Sequence, residues 1–210
     1  DYDDIPGQWD GLLFLNISKN NLLNYVEIKN AIIGINSGTL DQGGNPQIHL
    51  NNCKISQMSY AGLYALHSII SLNNCIISNC GQYLTALVMG GYYFFYHCTL
   101  ANYWHSFSSR TEPSVILNNE LEVEDKIYKD NLFAYYANSI IYGNLENEIG
   151  FSQPSKDTSI MFAYTFDHCL LKIDPDLNTS EPLFYRIIKN ADPEFADKEE
   201  GDFHLTASSV

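Results

Sequence analysis

Positive charge is scarce in this sequence, and long apolar runs are missing. The 210 residues carry 11 Lys and Arg against 25 Asp and Glu, which gives a net charge of −14 at pH 7. Because phosphate groups are bound by clustered Lys and Arg side chains, this composition excludes nucleic acid and acidic membrane surfaces as partners. No apolar run approaches the ~20 residues of a transmembrane helix, so we expect no membrane span in this chain. The first residues also lack the basic and then apolar pattern of a signal peptide.

Ionisable residues are almost absent from the middle of the chain. Residues 11–110 contain two acids and four bases, whereas residues 111–210 contain nineteen acids and seven bases. General acid–base chemistry needs positioned titratable groups, so the central stretch offers few of them. The 45% apolar content is that of an ordinary globular protein. We therefore predict a single domain over residues 1–210, with an acidic insertion at 119–130.

A short motif recurs along the chain. Its clearest copies are LNNCKI at 50–55 and LNNCII at 72–77, and weaker copies begin at residues 23, 95, 136 and 166. The fourth residues of the six copies lie at intervals of 27, 22, 23, 41 and 30, and are Val26, Cys53, Cys75, Cys98, Ser139 and Cys169. The longest interval divides into 22 and 19 if VILNNE at 115–120 is a degenerate copy with Glu120 in the Cys position.

This period predicts the fold. About 22 residues of β-rich runs separated by Asn and Gly are too few for a βαβ unit and too many for a hairpin. They suit one coil of a parallel β-solenoid, in which each coil stacks on the last at the ~4.8 Å strand spacing. We predict an all-β, right-handed parallel β-helix of about six or seven coils. Strand alternation then directs the fourth residue of each copy, and the apolar residue two further on, into the core.

The cysteines and asparagines of the motif have a structural interpretation. Side chains on stacked strands run parallel, which disfavours disulfides, and the spacing of the cysteines does not suit a metal site. We expect free core thiols, with only Cys80, which lies off the repeat, accessible to solvent. Asn24, Asn51 and Asn73 precede the inward position, so we expect them to occupy the left-handed bend between strands and to form a stack of side-chain amides.

Two longer segments carry a resemblance to a known family. The opening PGQWDGLLFLNISKNNLLNYVEIKNAIIGI and the closing NADPEFADKEEGDFHLTASSV, together with the Asn-Asn-Cys repeats, resemble the right-handed parallel β-helix repeat proteins that anaerobic gut-type bacteria carry as surface lipoproteins. The resemblance spans nearly the whole chain and implies an extracellular or cell-surface location. It also implies that this chain is the middle and end of a longer protein. It implies no particular reaction, because many members have none assigned.

The wider β-helix superfamily includes pectate lyases and polygalacturonases, which makes an enzyme one alternative. An inverting hydrolase needs two carboxylates roughly 6.5–9.5 Å apart, and a lyase of this type needs Ca²⁺-binding Asp residues and a base. The central coils offer neither. The weak catalytic candidates lie late in the chain and are Asp157, Asp167, His168, Asp174 and Asp176. Asp174-Pro-Asp176 is also typical of turn chemistry, which is the interpretation we favour for that pair.

Strand alternation also identifies outward aromatic side chains. Counting back from Cys98, Tyr93 and Phe95 point inward, so their neighbours point outward or lie at the corner; a later copy repeats the pattern. The candidate ligand-binding residues are Tyr92, Phe94, Tyr96, Phe133 and Tyr135, with Trp104 nearby. If one degenerate coil separates the two groups, they lie about 10 Å apart.

Exposed aromatic side chains on a rigid wall are typical of contact surfaces. They can bind a carbohydrate or a protein partner, or the acidic insertion at 119–130 or a neighbouring domain can cover them. We predict a non-catalytic recognition module that binds carbohydrate, with a polysaccharide-degrading hydrolase or lyase and a protein-binding or adhesion scaffold as alternatives. We expect no cofactor and no metal ion.

Overall fold

The computed structural model describes residues 5–41, 43–104, 109–154, 159–180 and 182–209. The regular secondary structure of these residues is entirely β. None of it forms a helix of the length and hydrophobicity needed to cross a bilayer. The strands are β1 (Leu12–Phe14), β2 (Asn21–Asn24), β3 (Glu27–Lys29), β4 (Ile33–Ser37), β5 (Gln47–Asn51), β6 (Lys54–Met58), β7 (Ala61–Asn73), β8 (Ile76–Cys80), β9 (Tyr83–Tyr96), β10 (Thr99–Asn102), β11 (Val115–Asn118), β12 (Glu120–Val123), β13 (Lys126–Lys129), β14 (Leu132–Ala137), β15 (Ile140–Gly143), β16 (Ile149–Ser152), β17 (Phe162–Asp167), β18 (Leu170–Leu171), β19 (Phe184–Tyr185), β20 (Ile188–Lys189), β21 (Phe195–Asp197) and β22 (Asp202–Leu205).

The strands form three walls of stacked parallel strands. Wall 1 contains β1, β4, the first half of β7, the first half of β9, β11 and β16. Wall 2 contains β2, β5, the second halves of β7 and β9, β14, β17 and β19. Wall 3 contains β3, β6, β8, β10, β15, β18 and β20. Among the described residues the chain visits the walls in this order in six coils, and the seventh has strands only on walls 2 and 3. The prediction of a parallel β-helix is therefore confirmed, with seven coils among the described residues on walls 2 and 3.

One residue makes the bend between walls 2 and 3 in every coil. It has a left-handed backbone, with φ between 48° and 55°, and is Tyr25, Asn52, Asn74, His97, Asn138, His168 or Arg186. The sequence prediction placed this bend one residue too early. Of the preceding asparagines, Asn24 and Asn51 do stack, since Asn51 Nδ2 donates to Asn24 Oδ1 at 2.9 Å. A second stack joins the bend residues themselves, where Asn74 Nδ2 donates to Asn52 Oδ1 at 2.7 Å.

The residue after the bend enters the core. Cys53, Cys75, Cys98 and Cys169 are buried and free, and Ser139 is buried in the same column. The apolar residues two positions further on are buried too, which confirms the predicted inward face; they are Ile55, Ile77, Leu100, Ile141 and Leu171. The prediction that Cys80 is accessible is wrong. It ends β8 fully buried, beside Gly62 at the junction of walls 3 and 1.

The segment at 115–120 is not a copy of the motif. Val115 pairs with Thr85 on wall 1, so this run belongs to a different strand of the coil than Cys75 or Cys98. Alternation of apolar residues is the same on every wall of a β-helix, which is why the pattern alone misplaced it. As a consequence, β14 pairs directly with β9, with no coil between them.

Two antiparallel hairpins lie outside the coils. The acidic insertion 119–130 contains the first, β12–β13, whose Leu121 and Tyr128 pack against Val88 and Met89 on wall 1. The second, β21–β22, packs against wall 3 through Phe195 and Phe203. Wall 2 receives neither hairpin.

Candidate functional site

Five aromatic side chains lie together on the outer surface of wall 2. We call this set the aromatic patch, and its members are Tyr92, Phe94, Tyr96, Phe133 and Tyr135. Tyr92 pairs with Phe133 and Phe94 with Tyr135, because β9 and β14 are neighbouring strands. The ring centroids of Phe94 and Phe133 are 5.7 Å apart, and those of Tyr96 and Tyr135 are 5.9 Å apart. The predicted separation of about 10 Å is therefore wrong, and the two groups form one continuous surface.

The acidic insertion does not cover this patch. Its hairpin packs on wall 1, as described above, and the alternative in which it folds over the aromatic residues is wrong. Tyr92 remains 39% exposed and Tyr96 36% exposed, while the other three members are half-buried. Their exposed edges supply an apolar surface that carries phenolic hydroxyl groups.

A second set of aromatic rings supports the patch from inside the core. Phe95, Tyr136, Phe166 and Phe184 occupy the same inward column on successive strands of wall 2. The rings of Phe95 and Tyr136 are stacked at 4.4 Å, and the stack continues to Phe166 at 4.9 Å. Close-packed rings in a β-sheet hold the backbone above them in fixed positions. The patch is thus built on a rigid base.

A hydrogen-bonded chain borders the patch. The Tyr135 hydroxyl donates to Asp167 Oδ2 at 2.6 Å, and His168 Nδ1 lies 2.6 Å from Asp167 Oδ1. The bond from Tyr135 lowers the pKa of the Asp167 carboxyl, with a further contribution from His168. The same bond raises the pKa of Tyr135 to about 12. Two of the weak catalytic candidates therefore lie beside the predicted binding residues and are coupled to them.

Two residues next to this chain of hydrogen bonds were not identified from the sequence. Tyr185 pairs with Asp167 on the next strand, and the Arg186 guanidinium lies 5.1 Å from the Tyr185 ring centroid. They belong to a seventh copy of the motif at 184–189, FYRIIK, in which Ile187 replaces the usual Cys. Its Phe at the first position and the apolar Ile187 at the fourth were the signal that could have found it.

Trp104 is not part of the patch. It follows β10 on wall 3 and is only 5% exposed. Its carbonyl accepts a hydrogen bond from Asn144 Nδ2, and Asn144 Oδ1 accepts one from Arg110. Arg110 in turn forms a buried ion pair with Glu148 at 2.7 Å. These residues fasten the connection between coils, a structural role that the sequence did not reveal.

Asp174 and Asp176 lie in a turn after β18 and are not on wall 2. Asp174 Oδ1 accepts a hydrogen bond from the Asp176 backbone N–H at 2.8 Å, which is the turn geometry favoured from the sequence. Asp157 lies outside the described residues. Within the described ranges, no group of three His, Cys, Asp or Glu side chains is arranged to hold a metal ion.

Of the cavities on the wall 3 side of the molecule, two are lined by residues of the later coils. The larger, about 560 Å³, adjoins the β21–β22 hairpin and is lined by residues that include Tyr103, Tyr142, Lys172 and Lys198. The smaller, about 360 Å³, is lined by the bend residues Asn138, His168 and Arg186 together with apolar side chains of wall 3. The smaller cavity therefore lies next to the residues that border the aromatic patch, on the other side of the bend. The larger cavity does not.

Comparison with models of protein families, with curated proteins and with solved structures finds no match to this chain. The resemblance to surface lipoproteins thus stays a prediction.

Proposed function

We propose that this protein is a non-catalytic, secreted or cell-surface recognition module that binds carbohydrate through the aromatic patch on wall 2. The observation that carries the proposal is the patch itself. It places five aromatic side chains on adjacent strands of one wall, with Tyr92 and Tyr96 more than a third exposed. Contiguous exposed aromatic side chains are uncommon on a surface without a binding role.

The chemistry of the patch suits a sugar. The C–H faces of a pyranose ring are apolar and pack against aromatic rings, while its hydroxyl groups need hydrogen-bond partners. Tyr135 and Asp167 supply such partners at the edge of the apolar surface. The aromatic stack beneath the patch lowers the cost of ordering on binding, because a rigid surface loses little conformational entropy.

Wall 2 also carries polar side chains on both sides of the patch along the β-helix axis. In the column of Phe94 and Tyr135, the preceding coils carry Ser71 and His49, whose side chains are 2.6 Å apart. The following coil carries Thr165 in the same column. A linear glycan lying along the β-helix axis would therefore meet aromatic side chains in the middle and polar groups at both sides. This arrangement favours an oligosaccharide over a single sugar.

The proposal is tested by titrating the protein with a panel of neutral and acidic oligosaccharides while following intrinsic fluorescence. We expect saturable binding that becomes about tenfold weaker in Tyr92→Ala or Tyr135→Ala, because each change removes ring contacts of roughly 1 kcal/mol or more. Tyr60→Ala is the matched control. Tyr60 is also 39% exposed but lies next to wall 1, against Tyr64 and Tyr83. Binding that is lost equally in the control, or absent with every oligosaccharide, would contradict the proposal.

A glycan-degrading enzyme is the second candidate, favoured by the hydrogen-bonded Asp167 and His168 beside the patch. Asp167 lies between Ala137 and Tyr185 in its column, so these strand neighbours supply no second carboxylate. Product analysis of the titration mixtures separates the two candidates. New reducing ends or unsaturated products that disappear in Asp167→Asn would replace the binding module with the enzyme.

A further inference from the structure

The bend between walls 2 and 3 carries a distinctive set of side chains in the last three coils. Asn138, His168 and Arg186 follow one another at the bend position, and all three line the cavity of about 360 Å³. His168 and Arg186 also contact the border of the aromatic patch, through Asp167 and Tyr185 respectively. The same two side chains therefore lie between the cavity and the residues that border the patch.

Arg186 is unusual in this chain. The sequence contains two arginines in a protein of net charge −14. The other, Arg110, is buried in an ion pair with Glu148, whereas Arg186 is exposed. It holds a left-handed backbone with φ of 48°, a conformation that Asn adopts more readily and that three of the other six coils assign to Asn.

The guanidinium of Arg186 keeps its hydrogen-bonding capacity. It stacks over the Tyr185 ring, and among the described residues its side chain has no hydrogen-bond acceptor. Asp167 is near enough to interact electrostatically with it. However, both carboxylate oxygens of Asp167 already accept hydrogen bonds, Oδ2 from Tyr135 and Oδ1 from His168. An arginine with free donors, held in place by an aromatic ring, is suited to bind a planar carboxylate in two parallel hydrogen bonds.

We propose that Arg186 and His168 form a subsite for the acidic group of a saccharide whose neighbouring rings lie on the aromatic patch. The ligand class is an oligosaccharide that carries carboxylate groups, such as a chain of hexuronic acids. This inference rests on the proposed function, because it assigns a charge preference to the same site. The cavity beside the bend provides space for the sugar that bears the acid.

The test compares two hexamers with the same backbone, β-1,4-linked glucose and β-1,4-linked glucuronate. We expect the wild-type protein to bind the glucuronate hexamer about tenfold more tightly, since a charge-assisted pair of hydrogen bonds contributes on this scale. Because the contact is partly exposed, the preference decreases as the salt concentration rises.

Substitutions test whether Arg186 is responsible for the preference for the glucuronate hexamer. Arg186→Gln should bring glucuronate binding to the level of the glucose hexamer, and Arg186→Lys should keep part of the preference. Lys54→Gln makes the same change in net charge on wall 3, beside a different cavity, and should leave the preference intact. Far-UV circular dichroism and the thermal midpoint show whether each variant is folded.

The outcomes separate the two proposals. Equal wild-type affinity for the two hexamers, or a preference that survives Arg186→Gln, overturns the acidic subsite while the carbohydrate-binding function stands. Binding of neither hexamer nor any other oligosaccharide overturns both. Loss of the preference in Lys54→Gln as well would assign it to the net charge of the protein and also overturn the subsite.

Discussion

Tyr135, Asp167 and His168 link the aromatic patch to the bend through two hydrogen bonds of 2.6 Å. Because the ionised carboxylate accepts both bonds, each one favours the charged form of Asp167. The folded state therefore gains stability from this group above the ordinary carboxyl pKa, near 3.9. That contribution disappears as the pH falls through the lowered pKa of the folded state.

Removing the Tyr135 hydroxyl isolates its effect. In Tyr135→Phe we expect the pKa of Asp167 to rise towards its ordinary value, since the largest cause of its lowering is lost. NMR titration of the Asp167 carboxyl carbon measures the change. Tyr92→Phe removes a hydroxyl from the same patch, away from Asp167, and should not shift that pKa. An unchanged pKa in Tyr135→Phe would show that the hydrogen bond is absent in solution.

The insertion hairpin shows how an element can be identified in sequence and still be misplaced. Its four-residue strands alternate, so that Leu121 and Tyr128 pair on one side and Glu122 and Ile127 on the other. The side bearing Leu121 covers Val88 and Met89, where the long strand β9 passes from wall 1 to wall 2. The hairpin thus shields wall 1 and leaves the aromatic patch on wall 2 uncovered.

Two substitutions in the hairpin test this orientation. Leu121→Ala should lower the free energy of unfolding by about 1.5 kcal/mol, because a largely apolar contact with wall 1 is lost. Ile127, which is 54% exposed on the opposite side, is the matched control, and Ile127→Ala should change the stability by less than about 0.5 kcal/mol. Urea unfolding followed by circular dichroism gives both values. Equal effects of the two substitutions would show that the hairpin does not pack as described.

At the scale of the whole molecule, the reactivity of the five cysteine thiols shows whether the β-helix is folded. All five are buried and free, and they are distributed from the second coil to the sixth. Burial raises the pKa of Cys80 to about 12 and that of Cys169 to about 11, which further reduces their reactivity. Between Cys75 and Cys98 a hydrogen bond lowers the pKa of the first and raises that of the second, so their protection depends on burial.

We expect none of the five thiols to react with an aromatic disulfide reagent in native buffer at pH 8, and all five to react after unfolding in denaturant. Absorbance of the released thiolate measures the number of reactive groups. Solenoid proteins are held together by contacts between neighbouring coils, so protection of cysteines in the second, third, fourth and sixth coils requires the stack between them to be formed. Rapid reaction of Cys80 in native buffer would contradict the structure and restore the expectation drawn from the sequence.

The sequence by itself determined the fold class and the inward column. Each coil must bend in the same place and bury the same face. The residue types that meet these constraints therefore recur with the period of the coil and can be recognised in the sequence. Cys53, Cys75 and Cys98 were placed correctly for this reason, and so were the outward positions of Tyr92 and Tyr135. Strand alternation is a local rule, so the face on which each of these residues lies follows from its nearest neighbours in the chain.

Only the tertiary structure decided which segments of the chain pair as neighbouring strands. Residues 115–118 alternate as the motif copies do, yet they belong to wall 1, because backbone pairing between coils depends on residues far apart in sequence. That pairing brought the two aromatic groups together and buried Trp104. It also put Arg186 beside Asp167 and His168, through a seventh coil whose motif has lost its cysteine. Alternation fixes which side of a strand a residue occupies, but contacts between coils fix its neighbours, and the candidate site consists of such neighbours.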